Sequence, residues 1–311
     1  MIKKTLYFGN PAYLSLANKQ LVVRLPEVEK SKDLPDIIKQ SAIKTIPIED
    51  IGVVILDHKQ ITITQAVIAA LLDNTVALIT CNDKRMPTGL LLPLQGNNTQ
   101  NERFRKQIEA SLPLKKQLWQ QTIKAKIDNQ ATLLEQIIHR QAKTLRRLSS
   151  EVKSGDTDNC EAQAAVYYWH NLFPDIPDFV RGQDEDPPNN LLNYGYAILR
   201  AVVARALVAS GLLPVYGIFH HNKYNDFCLA DDIMEPYRPF VDQVVISMMA
   251  KYDDLSTLTT EMKRDLLQIP VLDVKISNKR SPLMIAVSQT TASLAKCFNG
   301  EARRITYPYF P

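Results

Sequence analysis

Residues 191–213 read LLNYGYAILRAVVARALVASGLL, an apolar run that poses a choice between a membrane span and a buried helix. A span needs about 18 or more uninterrupted apolar residues. Arg200 and Arg205 break this one, so it predicts the central helix of a water-soluble core. The surroundings agree. From Asn101 onward Phe104, Ile108 and Leu112 recur every four residues, and after Pro113 the stripe resumes at Leu114, Leu118, Ile123, Ile127, Leu134, Ile137, Ile138 and Leu145. Before residue 90 the period is two. Leu14 and Leu16, then Leu21, Val23 and Leu25, then Ile46 and Ile48, alternate as strands do, and Val53–Leu56 is a short buried run. A single helix is expected at Thr64–Asp73, with a further strand at Thr75–Thr80. The polar, turn-rich stretch around Gln95–Gln100 marks a boundary. The expected architecture is α+β: a β-rich domain over 1–90, a linker over 91–100 and an all-α domain over 101–311.

Composition removes several function classes. Ten glycines in 311 residues is less than half the usual ~7%, and no G-x-G-x-x-G, G-x-x-x-x-G-K-[ST] or G-x-S-x-G occurs. Dinucleotide folds, P-loop phosphotransferases and hydrolase elbows are therefore poor matches. Cys81, Cys160, Cys228 and Cys297 form no C-x-x-C pair, which argues against structural zinc and for buried free thiols. The opening MIKKTLYFGNP lacks the apolar core of a signal peptide, so a cytoplasmic protein with no membrane partner is expected. The formal net charge of +4 hides a strong polarity: residues 101–150 carry +7 and residues 151–200 carry −6. Such a pattern suits either helices that pair opposite charges or a basic DNA-facing surface beside an acidic pocket.

Three spots carry chemistry. CEAQAAVYYW (160–169) places Glu161 in the first turn of a helix, with Ala164, Ala165 and Tyr168 on its face. GLLPVYGIFHH (211–221) ends an apolar run on His220 and His221. In extended chain these point to opposite sides, so at most one joins a shared site. LADDIMEPYRPFVD (229–242) sets Asp232 and Glu235 three residues apart on one helical face, a repulsive pair unless a cation, a proton or Arg238 compensates. A Glu–His–Glu set offers oxygen and imidazole ligands suited to Mg²⁺ or Mn²⁺.

In this order the runs GLLPVYGIFHHN, FCLADDIMEPYRPFVD, EAQAAVYYW and NNLLNYGYAIL resemble the CRISPR-associated integrase family Cas-one (Cas1). The opening TLYF and the segment IPIEDIGVVILD look like its type II branch. The resemblance spans nearly the whole chain. It implies an N-terminal β-sandwich and a helical catalytic domain. It also implies a homodimer, bridged in a larger complex by the small partner Cas-two (Cas2). Carried over, the metal-binding and catalytic residues are Glu161, His220 and Glu235, with Asp232 supporting them and His221 outside the site.

The implied reaction is phosphoryl transfer: a 3′-hydroxyl of a captured duplex attacks a phosphodiester at the edge of a CRISPR repeat, inserting a new spacer. No protein nucleophile is required, in keeping with the absent Ser and Cys elbows. Arg146 and Arg147 in the basic block, with Arg181, Arg200, Lys223 and Arg238, are candidates for contact with DNA phosphates. An Arg inside an apolar helix, as Arg200 is, must pair with an acid or face substrate. Alternative readings are a general metal-dependent DNA nuclease and a non-catalytic DNA-binding subunit.

Overall fold

The computed structural model describes residues 2–31, 35–176, 179–182 and 185–311. The chain divides into two units, Met1–Gly96 and Asn97–Pro311.

The first unit holds β1 (Lys4–Phe8), β2 (Ala12–Ala17), β3 (Gln20–Arg24), α1 (Pro26–Lys30), α2 (Asp36–Ser41), β4 (Lys44–Pro47), β5 (Ile51–Leu56), β6 (Ile61–Ile63), α3 (Gln65–Asp73), β7 (Ala77–Cys81) and β8 (Pro87–Leu91). One sheet has the order β1-β5-β7-β8, with β1, β5 and β7 parallel and β8 antiparallel. The other has the order β4-β3-β2-β6, in which only the β2–β6 pair is parallel. Leu14, Leu21 and Val23 of one sheet, Ile51, Val54 and Leu78 of the other, and Val67 and Leu71 of α3 form one apolar cluster. The two sheets therefore share a core. Strand β5 is buried over Ile51–Ile55, which explains why its sequence is continuously apolar rather than alternating. The hairpin β2–β3 turns at Asn18 and Lys19, both with positive φ, a two-residue turn whose twist matches its strands.

The second unit comprises α4 (Gln100–Ile108), α5 (Leu112–Ile138), α6 (Lys143–Glu151), α7 (Cys160–Leu172), α8 (Asn189–Ala209), α9 (Cys228–Met234), α10 (Arg238–Met249), α11 (Thr260–Leu266), β9 (Asp273–Ile276), β10 (Lys279–Pro282) and α12 (Leu283–Phe298). Helix α8 is long and apolar enough to cross a membrane, but most of it is buried within the unit. It lies against α10 at Gly195, where an added Cβ would stand 2.6 Å from Val241 Cγ1. Helices α7, α8 and α10 are also joined by a buried polar knot. Asp242 accepts a hydrogen bond from Tyr168 Oη at 2.7 Å and a very short one from Tyr196 Oη. Burial pushes the Asp242 carboxyl up to about 6 in spite of both phenols.

Several expectations need correction. The first ninety residues hold α1 and α2 besides α3, because helices of five or six residues are too short to show a period. Between the expected strand at Thr75–Thr80 and the turn-rich stretch lies a further strand, β8, an edge strand whose Pro and Gly masked it. The connection between units is consequently shorter than 91–100, since β8 runs to Leu91 and α4 starts at Gln100. The helical unit is not all-α. The hairpin β9–β10 turns through Ser277 and Asn278, both with positive φ, a turn lacking the glycine that would advertise it. Pro113 does not interrupt a helix but sits in the first turn of α5, where a missing N–H costs nothing. All four cysteines are free thiols, though Cys81 is only half-buried.

Two outcomes test this packing. Gly195→Val forces α8 from α10 and lowers stability by about 2 kcal/mol, read as an earlier urea midpoint; an unchanged midpoint would contradict the close approach. The Asp242 carboxyl holds its proton between pH ~4 and ~6 in the folded state while the unfolded chain has lost it, so stability falls as pH rises through that window, by about 3 kcal/mol in all. Asp242→Asn lacks this loss. The melting-temperature difference, variant minus parent, therefore grows by a few degrees between pH 4.5 and 7; a pH-independent difference would count against the raised carboxyl.

Candidate metal centre

Helix α5 buries not only its apolar stripe but a polar one, Thr122, Lys126, Asn129 and Gln130. Thr122, Lys126 and Asn129 lie three to four residues apart, on one face, and Gln130 lies four residues beyond Lys126. Lys126 is only 8% exposed, and a buried ammonium must be compensated. Two carboxylates do this: Glu161 Oε1 lies 2.6 Å from Lys126 Nζ and Glu235 Oε2 lies 2.5 Å from it. Burial pulls the lysine down, but Glu235 and Glu161 outweigh it and its pKa is raised.

Each glutamate is placed by local structure. Asp156 accepts from the N–H groups of Cys160 and Glu161 at 2.9 and 3.0 Å, fastening the start of α7 so that Glu161 faces α5. Glu235 begins a single tight turn, Glu235–Tyr237, between α9 and α10. Asn129 holds that turn by donating to Pro236 O at 2.8 Å. Arg238 Nε donates to Glu235 Oε1 at 2.8 Å. Burial would raise the Glu235 carboxyl, yet Arg238 and Lys126 hold it down at about 2. It is therefore ionised.

His220 is presented by a loop folded around Asp232. Asp232 Oδ2 accepts from the backbone N–H of Ile218 at 2.7 Å and of Phe219 at 3.0 Å, and Oδ1 accepts from that of His220 at 3.1 Å. The His220 ring meets Asp232 Oδ1 through Nδ1 at 2.6 Å. Gly217 has no room for a side chain, since a Cβ would fall 2.2 Å from His220 O. Buried Gln107 anchors the loop's start, donating to Leu213 O and Tyr216 O and accepting from Leu213 N. Trp119 stacks on Phe219 with ring centres 4.2 Å apart and meets His220 edge-on. The hydrogen bond to Asp232 raises the His220 pKa against burial, with Asp232, Glu235 and Glu161 adding charge in the same sense.

The donor set fits a divalent cation. Two carboxylates from separate helical segments meet at one positive centre. Glu235 is buried and its Oε2 lies against the Lys126 ammonium at 2.5 Å. With Nδ1 committed to a carboxylate, His220 keeps Nε2 for a ligand, the usual support for a metal-binding imidazole. Yet among the described residues no three His, Cys, Asp or Glu side chains already converge as a cage. Glu161 and Glu235 share Lys126, and His220 is bound to Asp232.

The structure sorts the remaining candidates. His221 is exposed. Arg200 has an acid partner, bidentate on Asp231 at 2.6 and 3.1 Å. Arg146 binds Glu135, Arg147 pairs with Glu151, and Arg238 holds Glu235. Arg181 donates to Asn189 and Asn193, and Lys223 lies over the ring of Tyr224. Lys126 belongs to the basic block of residues 101–150, which the sequence left open between helices that pair opposite charges and a DNA-facing surface. Its pairing with Glu161 falls on the first side, while Trp119 and Gln107 gave no sequence signal. The signal for Lys126 was its position one residue before Ile127 and three after Ile123, on the stripe that must face inward.

Comparisons with known proteins follow the same outline. The family model described as CRISPR associated protein Cas1 matches residues 6–257. A CRISPR-associated endonuclease Cas1 of Neisseria meningitidis serogroup C (strain 8013) is 36% identical over 294 residues, 94% of this chain and 91% of that protein. A second, from Pyrobaculum aerophilum, is 33% identical over 158 residues, 50% of this chain and 52% of its own. Among solved structures, a casposase bound to its integration product superposes with a TM-score of 0.75 at 19% identity, covering 98% of this chain and 92% of that one. A Cas1 protein of Thermotoga maritima gives 0.72 at 15% identity, with 96% and 98% covered. At such identities the structural likeness speaks for the fold.

Proposed function

The chain belongs to the Cas1 family of CRISPR-associated proteins, and on that premise we propose that it is a metal-dependent DNA endonuclease and integrase that inserts short duplexes into a CRISPR array. The observation that carries this reading is the convergence of Glu161 and Glu235 on one buried cation position, 2.6 and 2.5 Å from Lys126 Nζ. Glu161, Glu235 and His220 would hold Mg²⁺ or Mn²⁺. When bound, such an ion neutralises charge on a phosphodiester and stabilises the oxyanion that develops on it.

The chain's own residues supply the rest. Asp232 fixes the His220 ring through Nδ1, which leaves Nε2 as the nitrogen that could take a ligand. Arg238 keeps Glu235 ionised. Buried Trp119 backs the site on the His220 side, stacked on Phe219 and edge-on to the imidazole. A cavity of about 160 Å³ beside Glu235 is lined by Lys126, Arg181 and Arg238, cations suited to phosphate oxygens. In the reaction a 3′-hydroxyl oxygen of the incoming strand bonds to phosphorus as the bridging oxygen of the repeat strand leaves and takes up a proton. The protein offers position and charge, not a nucleophile.

The relatives' printed names extend the proposal. A complex named Cas6-RT-Cas1–Cas2 superposes with a TM-score of 0.71, in keeping with a Cas2 partner. The casposase bound to integration product is in keeping with a DNA substrate. A homodimer, type II membership and a cytoplasmic location complete the reading. Of the proposed DNA contacts, Arg181 lines the cavity beside Glu235, and the Lys223 ammonium lies over the ring of Tyr224.

The test mixes the protein with its small partner, a short duplex with free 3′-OH ends, a repeat-bearing plasmid and Mn²⁺. Joined products should form, and Glu161→Gln, His220→Ala and Glu235→Gln should each reduce joining by at least ~100-fold. Joining that survives all three changes would overturn the site. Cleavage without joining would favour the general nuclease.

A further inference from the structure

We propose that Lys126 is a resident counter-ion for Glu161 and Glu235, which its ammonium must leave when a divalent cation occupies the site. The inference rests on the reading above, and deepens it from which residues bind the ion to how the protein waits without one.

The argument is one of charge and space. Glu235 is 5% exposed, and Glu161 is brought beside the same ammonium from another helix. Two carboxylates so placed repel unless a positive charge stands between them. Lys126 supplies it at 2.6 and 2.5 Å. Arg238 already takes the other oxygen of Glu235, so both of its oxygens face a cation. A divalent ion ligated by Glu161 and Glu235 would have to lie within ~2–2.6 Å of oxygens on each. Lys126 Nζ stands at that range from Glu161 Oε1 and Glu235 Oε2. Two cations cannot share that space at low cost in a buried site.

Lys126 is well suited to leave. Its long stem permits withdrawal of the ammonium without moving α5, and a cavity of about 160 Å³ adjoins it. Glu235 Oε2, 2.5 Å from the ammonium, is the oxygen the lysine covers and would release on leaving. Lys126 acts here as a positioning residue: it keeps the two ligands together in the metal-free protein and competes with the ion they are built to hold.

Competition makes a prediction opposite in sign to that of a merely structural ion pair. Calorimetric titration of the full-length, metal-free protein with Mn²⁺ should show one site per chain, lost in Glu161→Gln. Lys126→Met should bind Mn²⁺ roughly tenfold or more tightly than the parent, while being less heat-stable before metal is added and gaining a larger Mn²⁺-dependent shift in melting temperature. Should Lys126→Met not fold without metal, Lys126→Gln, which fills the same space uncharged, is titrated with the same criterion. Equal or weaker Mn²⁺ binding by the folded variant, with binding still lost in Glu161→Gln, overturns the counter-ion and leaves the metal site standing. No Mn²⁺ binding by the parent, or undiminished binding by Glu161→Gln, overturns the site and the counter-ion together.

Discussion

The second unit depends on one buried ion cluster. Lys126 of α5 lies between Glu161 of α7 and Glu235 of the turn that precedes α10, with Arg238 completing the neutralisation. Removing any one charge would strand another in a poorly solvated interior, which costs far more than a surface ion pair yields. The helices must therefore hold their relative positions closely. Asp156 sets the start of α7, Asn129 ties the Glu235 turn to α5, and the Asp242 knot joins α7, α8 and α10. These polar contacts fix where the apolar packing of α8 would otherwise only hold.

The His220 loop follows the same logic by different means. It has little regular structure, yet Asp232 gathers three consecutive backbone N–H groups and the imidazole onto one carboxylate. Burial raises the Asp232 carboxyl, and the hydrogen bond to Asp232 raises the ring. Gly217 lets the loop close on itself, and Gln107 pins it from α4. A loop tied in this way can present one ring nitrogen in a fixed direction, which a ligand position requires and a mobile loop cannot give.

The sequence was legible where periods are long and motifs contiguous. The change from period two to a helical period separated strands from helices, and the runs around Glu161, His220 and Glu235 pointed to one chemistry. What it hid has physical reasons. Helices α1 and α2 are shorter than two turns, and the β9–β10 hairpin turns through Ser277 and Asn278 without glycine. Lys126 looked like one of eleven cations in a basic block, because composition cannot tell a buried face from a wet one. Helical position can: counting from Ile123 and Ile127 puts Lys126 inward. Arg200, by contrast, was open between an acid and a substrate, and only folding brought Asp231 to it.

The central claim is that Glu161, Glu235 and His220 are the ligands of one divalent ion whose place Lys126 keeps. Anomalous diffraction from crystals soaked in Mn²⁺ addresses it most directly. The account predicts a single strong peak at coordination distance from both carboxylates and from His220 Nε2, with the Lys126 ammonium withdrawn from them. A peak elsewhere on the chain, with Lys126 still bridging the two glutamates, would contradict it.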